Sequence, residues 1–147
     1  MALKMRTNVT FRHPAEFVPL SDEDGVLAVS GALWFVTLLQ DVAGLQIDDD
    51  SCQEDWGVVI FARRNGRRFW IGLSAWDAAN TWLAQFHHGP FAWLQRFGSS
   101  GKGEFRRLLC NVHAVLNEDP AVSDVAWYAE SEMRKAEPAG FRTPVED

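Results

Sequence analysis

The 147-residue chain holds two cysteines, Cys52 and Cys110, a single tyrosine, and no apolar run of membrane-spanning length. Two thiols cannot build a disulfide framework, and a chain of this size buries roughly two-thirds of the surface its unfolded form exposes, so it needs no such staples. The longest apolar stretch, residues 26–39, is interrupted by Ser30, Gly31 and Thr37. It falls short of the roughly 18–20 residues that a spanning helix requires. Nor does a basic, apolar leader with a small-residue cleavage site open the chain. These absences lead to the expectation of a cytoplasmic protein with no membrane contact.

Catalytic signatures are equally scarce. The segment FGSSGKGEFRRLL, beginning at Phe97, comes nearest to one, because small residues and a lysine precede a basic, apolar-striped stretch. A phosphate-binding loop of the G-x-x-x-x-G-K-[ST] type needs glycine where this chain has Arg96 and a hydroxyl residue where it has Gly103. What survives is general chemistry: Ser99, Ser100, Lys102 and Arg106 with the amides of a helix start form a candidate anion site. The competing reading is a mobile helix entry capped by Ser100 or a neighbour.

Other chemistry-bearing residues fare no better. His87 and His88 are adjacent, and on a strand adjacent side chains point to opposite faces, so at most one joins any one site. Arg106, Cys110 and His113 recur at i, i+4 and i+7 in a helical segment, a spacing compatible with an activated thiolate but equally with gap-filling by a small side chain. Asp48, Asp50, Glu54 and Asp55 resemble the start of a calcium loop, yet Gln53 replaces its glycine and Val59 its closing glutamate. The expectation is therefore no catalytic residue, no metal and no cofactor.

What the chain does contain is apolar and aromatic material. A hydrophobic share of 47% with 23% charged residues suits a globular domain rather than a disordered one. The clearest local signal is DWGVVIFARRNGRRFWIGLS: Asn65-Gly66 supplies the positive φ angles of a two-residue turn, and both flanks are β-branched and aromatic, which predicts a hairpin. On its first strand Trp56, Val58, Ile60 and Ala62 share one side while Val59 and Phe61 share the other, so the strand belongs inside a sheet.

Further strands are predicted over residues 5–11, 81–87 and 122–128. A helix is predicted over 22–43, with a restart at Ser30 as the alternative because Gly25 and Gly31 weaken its first part. Gly44 suits its end. A second helix over 103–117 follows from the stripe Phe105, Leu108, Leu109, Val112, Val115 and Leu116. Gly89-Pro90 marks a break before a short helical piece over 91–96. The expected architecture is α+β: one domain over residues 1–137, with a four- or five-stranded, mainly antiparallel sheet packed on two main helices. Residues 138–147 are read as a flexible tail with too little apolar content to dock strongly.

Charge is segregated along the chain. Residues 1–55 carry three basic and ten acidic side chains, residues 56–110 eight and two, and residues 111–147 three and eight, within a net charge of −6. The basic excess gathers in Arg63, Arg64, Arg67 and Arg68 around the hairpin turn and in Arg96, Lys102, Arg106 and Arg107. An acidic chain is a poor match for phosphate backbones, so nucleic acid ranks low as a partner. The arginines read either as a solvated surface that neutralises the acidic clusters or as a local anion site.

Seven tryptophans and ten phenylalanines exceed what a core of this size readily hides, and aromatic residues are enriched where partners meet. The dense segment from Trp76 to Phe97 nominates Trp76, Trp82, Phe86, Phe91 and Trp93 as a partner-binding patch. The first functional expectation is thus a non-catalytic protein-binding module of the regulator, inhibitor or toxin-neutralising kind, with a basic partner or self-association. The alternative is a small-molecule-binding protein or enzyme acting on an anionic substrate through the Gly/Ser/Lys loop, with His87, His88 or His113 as proton carrier.

Overall fold

The computed structural model describes residues 5–14, 30–48, 52–54, 56–76, 80–88, 99–134 and 140–145. The hairpin organises them. Asn65 and Gly66 take φ values of 51° and 75°, the left-handed region that a tight two-residue turn needs. They join β4 (Gly57–Arg64) to β5 (Arg67–Ala75), which pair in an unbroken antiparallel register from Val58↔Leu73 to Arg64↔Arg67. β6 (Thr81–His88) adds to β5, β1 (Asn8–Arg12) adds to β6, and β7 (Ser123–Tyr128) closes that side.

On its other edge β4 receives two fragments, β2 (Gln46–Ile47) near the turn and β3 (Cys52–Glu54) near its start. The order is β2-β4-β5-β6-β1-β7, with β3 sharing the edge of β4 that β2 occupies. The sheet is therefore six positions wide rather than four or five, and every described pairing is antiparallel. The extra width comes from β2 and β3, whose two and three residues are too short to show alternation. β4 lies inside the sheet, as its two apolar sides indicate.

Three helices are described: α1 (Ser30–Leu39), α2 (Ser99–Glu118) and the single turn α3 (Glu130–Met133). α1 is described from Ser30, and residues 15–29, which include the first part of the predicted helix, lie outside the described set. It ends at Leu39 rather than at residue 43, because Asp41 and Val42 donate to carbonyls three residues back and tighten the last turn; Gly44 then takes φ 75°. α2 starts four residues earlier than its apolar stripe predicts, so Ser99, Ser100 and Lys102 form a first helical turn instead of a mobile entry loop. The helical piece expected over 91–96 falls outside the described residues.

Strand alternation sorts the side chains. The inner face takes Val58, Ile60, Ala62, Phe69, Ile71, Leu73, Trp82, Ala84, Phe86, Val9, Phe11 and Trp127, all buried. α1 and α2 cover it. Phe35 of α1 stacks on Phe11 at 5.8 Å, and Phe105 of α2 stacks on Phe69 at 5.8 Å. Ala32, Leu38 and Leu39 join from α1, and Leu108, Leu109, Val112 and Leu116 from α2. A fully buried side chain of this kind contributes about 1.5–3 kcal/mol, so the interlocked ring pairs fix both helices on the sheet.

The outer face is covered differently at its two ends. Over β1 and β7, α3 and residues 140–145 return to it: Phe141 bridges Trp127, Val145 bridges Met5, and the Arg6 amide donates to the Pro144 carbonyl at 2.7 Å. Arg6, 3% exposed, holds this corner together. Its guanidinium lies 3.7 Å over the Phe141 ring, 3.5 Å from Glu132 Oε1, and 3.4 Å from the Thr143 carbonyl. Residues 140–145 are thus held by main-chain bonds, by Arg6 at Phe141 and the Thr143 carbonyl, and by the buried Val145. Gly140 permits it, since a Cβ there would sit 2.6 Å from the Ala126 Cβ.

Candidate functional site

The other end of the outer face, over β4, β5 and β6, carries a different population of side chains. Val59, Phe61 and Arg63 of β4, Arg68, Trp70 and Ser74 of β5, and Gln85 and His87 of β6 are all partly or fully exposed. Trp56, outside the strand, is 46% exposed. Its indole does not follow the Val58–Ile60–Ala62 side, as unbroken alternation would require; it turns onto the outer face over Gly72. A Cβ at Gly72 would lie 3.1 Å from the Trp56 ring and 3.7 Å from Trp70, so the missing side chain seats two indoles in the middle of a sheet.

The turn into this position depends on a second glycine. A Cβ at Gly57 would lie 2.2 Å from the Leu73 carbonyl oxygen, which lets only glycine bring the start of β4 so close to β5. Next along the face, Trp70 and its cross-strand partner His87 stack at 3.8 Å and 11°. Arg68 lies 4.6 Å over the Phe61 ring. The result is a strip that runs from Trp56, through Phe61, Trp70 and His87, to Arg63 and Arg68 beside the turn.

Alternation also divides the four hairpin arginines. Arg63 and Arg68, a cross-strand pair, rise on the outer face and share Asp48, at 3.1 and 3.6 Å. Asp48 reaches them because its amide continues the β2 pairing by donating to the Phe61 carbonyl at 2.8 Å. Arg64 and Arg67 project to the helix side. There Arg64 lies 4.0 Å from Glu104 and, with the Asn111 amide turned to present its oxygen, donates to it at 2.9 and 3.0 Å. Glu104 also accepts from Asn65 at 3.0 Å and from Arg107 at 3.2 Å. The hairpin turn and the first half of α2 therefore meet, with Arg63 and Arg68 on Asp48 and Arg64 and Arg107 on Glu104.

The residues nominated from sequence separate accordingly. Trp82 and Phe86 are buried on the inner face and offer no surface for a partner; on β6 their even numbers put them with Ala84 toward the helices. Trp76 is 37% exposed, and Phe91 and Trp93 lie outside the described residues. Of the anion candidates, Arg106 is exposed on α2, one turn beyond the backbone positions of Ser99, Ser100 and Lys102. Trp56, Phe61, Trp70, Arg63 and Arg68 are the additional members of the strip. Strand parity, applied to the aromatic residues as well as to the aliphatic ones, is the signal that finds Phe61 and Trp70.

His13 and His113 are each engaged in packing contacts of their own. His13 stacks on Trp34 at 3.6 Å, while Trp34 Nε1 donates to Asp119 at 3.2 Å. Burial lowers the His13 pKa, with Asp119 opposing that effect. His113 accepts at Nδ1 from the indole N–H of buried Trp127 at 3.1 Å, and burial lowers its pKa too. His87 stands on the outer face. Cys110 is an exposed free thiol. Among the described residues no group of three His, Cys, Asp or Glu side chains is placed to hold a metal, and no helix is long and apolar enough to cross a membrane. No family model matches the chain, and no curated protein and no solved structure is significantly similar to it.

Proposed function

We propose that this protein is a non-catalytic binding module whose contact surface is the outer-face strip of Trp56, Phe61, Trp70 and His87 with Arg63 and Arg68. The observation that carries this reading is the seat at Gly72. A sheet interior that gives up a side chain so that a 46% exposed indole can lie across it forgoes packing for a flat aromatic surface. Trp and Arg are the residue types that dominate the energetics of protein contacts. The catalytic alternative has less behind it, because His13 is stacked on Trp34 and His113 is held by the Trp127 indole N–H.

The strip is tested by placing photoreactive benzoylphenylalanine at position 56 and irradiating the native host cells. A contact surface gives one adduct of defined mass, absent when the same group replaces Arg12 at the far end of the sheet. Equal labelling at both positions, or none at position 56, would refute the assignment.

A further inference from the structure

We infer that Asn65 and Gly66 form a site of spontaneous covalent modification, at which loss of ammonia from Asn65 irreversibly releases the hairpin turn from α2. The site is independent of the outer-face strip. Of the asparagines in the chain, Asn8, Asn65, Asn80, Asn111 and Asn117, only Asn65 precedes a glycine. Both turn residues are exposed. Among the described residues no atom comes within 4 Å of the position that a Gly66 Cβ would take, so neither a side chain of its own nor a neighbour shields that side of the Gly66 amide.

The chemistry needs only water. On losing its proton to solvent base, the Gly66 nitrogen attacks Asn65 Cγ; the new N–Cγ bond closes a succinimide ring while the Cγ–Nδ2 bond breaks, and Nδ2 leaves with a proton as ammonia. Water then opens the ring at either carbonyl. Cleavage of the N–Cγ bond yields aspartate, whereas cleavage at the Asn65 main-chain carbonyl yields isoaspartate, in which the chain runs through the former side chain. An amide nitrogen is exchanged for a water oxygen, with no oxidation or reduction.

Asn80 provides a matched contrast. It is exposed, with φ 62° against 51° for Asn65, but Thr81 follows it, and a β-branched side chain is stiff and crowds the attacking amide. Exposure and a left-handed backbone are common to both sites; the glycine is not.

Glu104 sets both the pace and the consequence. Its Oε2 accepts from Asn65 Nδ2 at 3.0 Å, which ties the carboxamide to α2 until that bond opens. The same carboxylate accepts from Arg107 at 3.2 Å and lies 4.0 Å from Arg64. After deamidation the side chain at position 65 has acceptors only, so the bond to Glu104 is lost and two like charges face each other. Isoaspartate also adds a carbon to the main chain, which a two-residue turn cannot absorb while Arg64 and Arg67 stay paired.

The test is to age the full-length protein in mildly alkaline buffer and to map aspartate and isoaspartate at each asparagine by peptide mass spectrometry. Asn65 should convert while Asn80 stays intact. Glu104→Ala should speed conversion roughly fivefold, the factor that a typical net hydrogen bond represents, whereas Glu104→Gln, which keeps an acceptor, should stay near wild type. Amide hydrogen exchange on the aged protein should quicken over the turn and the first half of α2 and stay unchanged in β1 and β6. Asn65 intact after ageing, conversion of Asn80 at the same rate, or a Glu104→Ala rate equal to wild type each overturns the inference. So does unchanged exchange at the turn once Asn65 has converted. The ageing and exchange measurements use the wild-type chain, so they decide the matter even where Glu104→Ala fails to fold.

Discussion

Replacing Glu132 by alanine should cost this protein about 3–5 kcal/mol, the range for breaking a buried ion pair by removing one member. Glu132 and Arg6 have side chains 7% and 3% exposed, at 3.5 Å. Truncation removes a carboxylate from beside a buried guanidinium that also faces the Phe141 ring and the Thr143 carbonyl, neither of which carries a charge. The same carboxylate oxygen accepts from the Ala129 amide at 2.7 Å, and losing that bond adds about 1 kcal/mol. Glu132→Gln retains an acceptor and the volume, so it should fall between wild type and Glu132→Ala. The double variant Arg6→Met/Glu132→Leu removes both charges and should cost much less than the two single changes added together. Urea unfolding with fitted slopes measures all four, provided the slope stays constant across the set. A loss under about 1 kcal/mol for Glu132→Ala would show that water reaches the pair and would refute the clasp as a determinant of stability.

Other outcomes follow from the same contacts. Gly57→Ala places a methyl group 2.2 Å from a backbone oxygen and should destabilise by about 2–3 kcal/mol, whereas Gly72→Ala meets only the far end of the exposed Trp56 ring and should stay within about 0.5 kcal/mol while making Trp56 more reactive to N-bromosuccinimide. The pKa values of His13 and His113 are both lowered in the folded chain from 6.5, so the unfolded chain binds more protons: stability should be complete above pH 6.5 and decline as pH falls through that value toward the folded pKa values, a slope that His113→Gln reduces in pH-dependent thermal melts. Lys102→Glu, in the first turn of α2, should raise stability by about 0.5–1 kcal/mol in urea titrations.

Local signals carried most of the fold. Asn65-Gly66 between β-branched flanks specified the hairpin and its register, and the stripe from Phe105 to Leu116 specified the buried side of α2. β2 and β3 left no trace because two or three residues cannot display a period, and α2 begins at Ser99 although its first turn holds no apolar residue to signal it. The outer-face strip was half legible. Counting aromatics along a window nominated Trp82 and Phe86, whereas counting them by strand parity sends both inward with Ala84 and sends Trp70 and His87 outward. The same parity separates Arg63 and Arg68 from Arg64 and Arg67. By contrast, the clasp joins Arg6 to Glu132 and Phe141 across most of the chain, and no local pattern encodes a contact of that separation.

The charge order of α2 runs against its own dipole. A helix is stabilised by acids in its first turn and bases in its last, each by about 0.3–1 kcal/mol; α2 has neither. It has Lys102 in its first turn, Arg106 and Arg107 one turn later, and Glu118 as its final residue. The one acid near the start, Glu104, is turned toward Arg64, Asn65 and Arg107, which steadies the hairpin but leaves the helix start positive. Folding alone does not call for that arrangement, since the apolar stripe holds α2 on the sheet whatever the signs on its exposed side. Exchanging those signs would relieve the dipole at no cost to the core. The apolar stripe from Phe105 to Leu116 therefore carries the cost of this order, and reversing it at the first turn should stabilise the chain without touching the core.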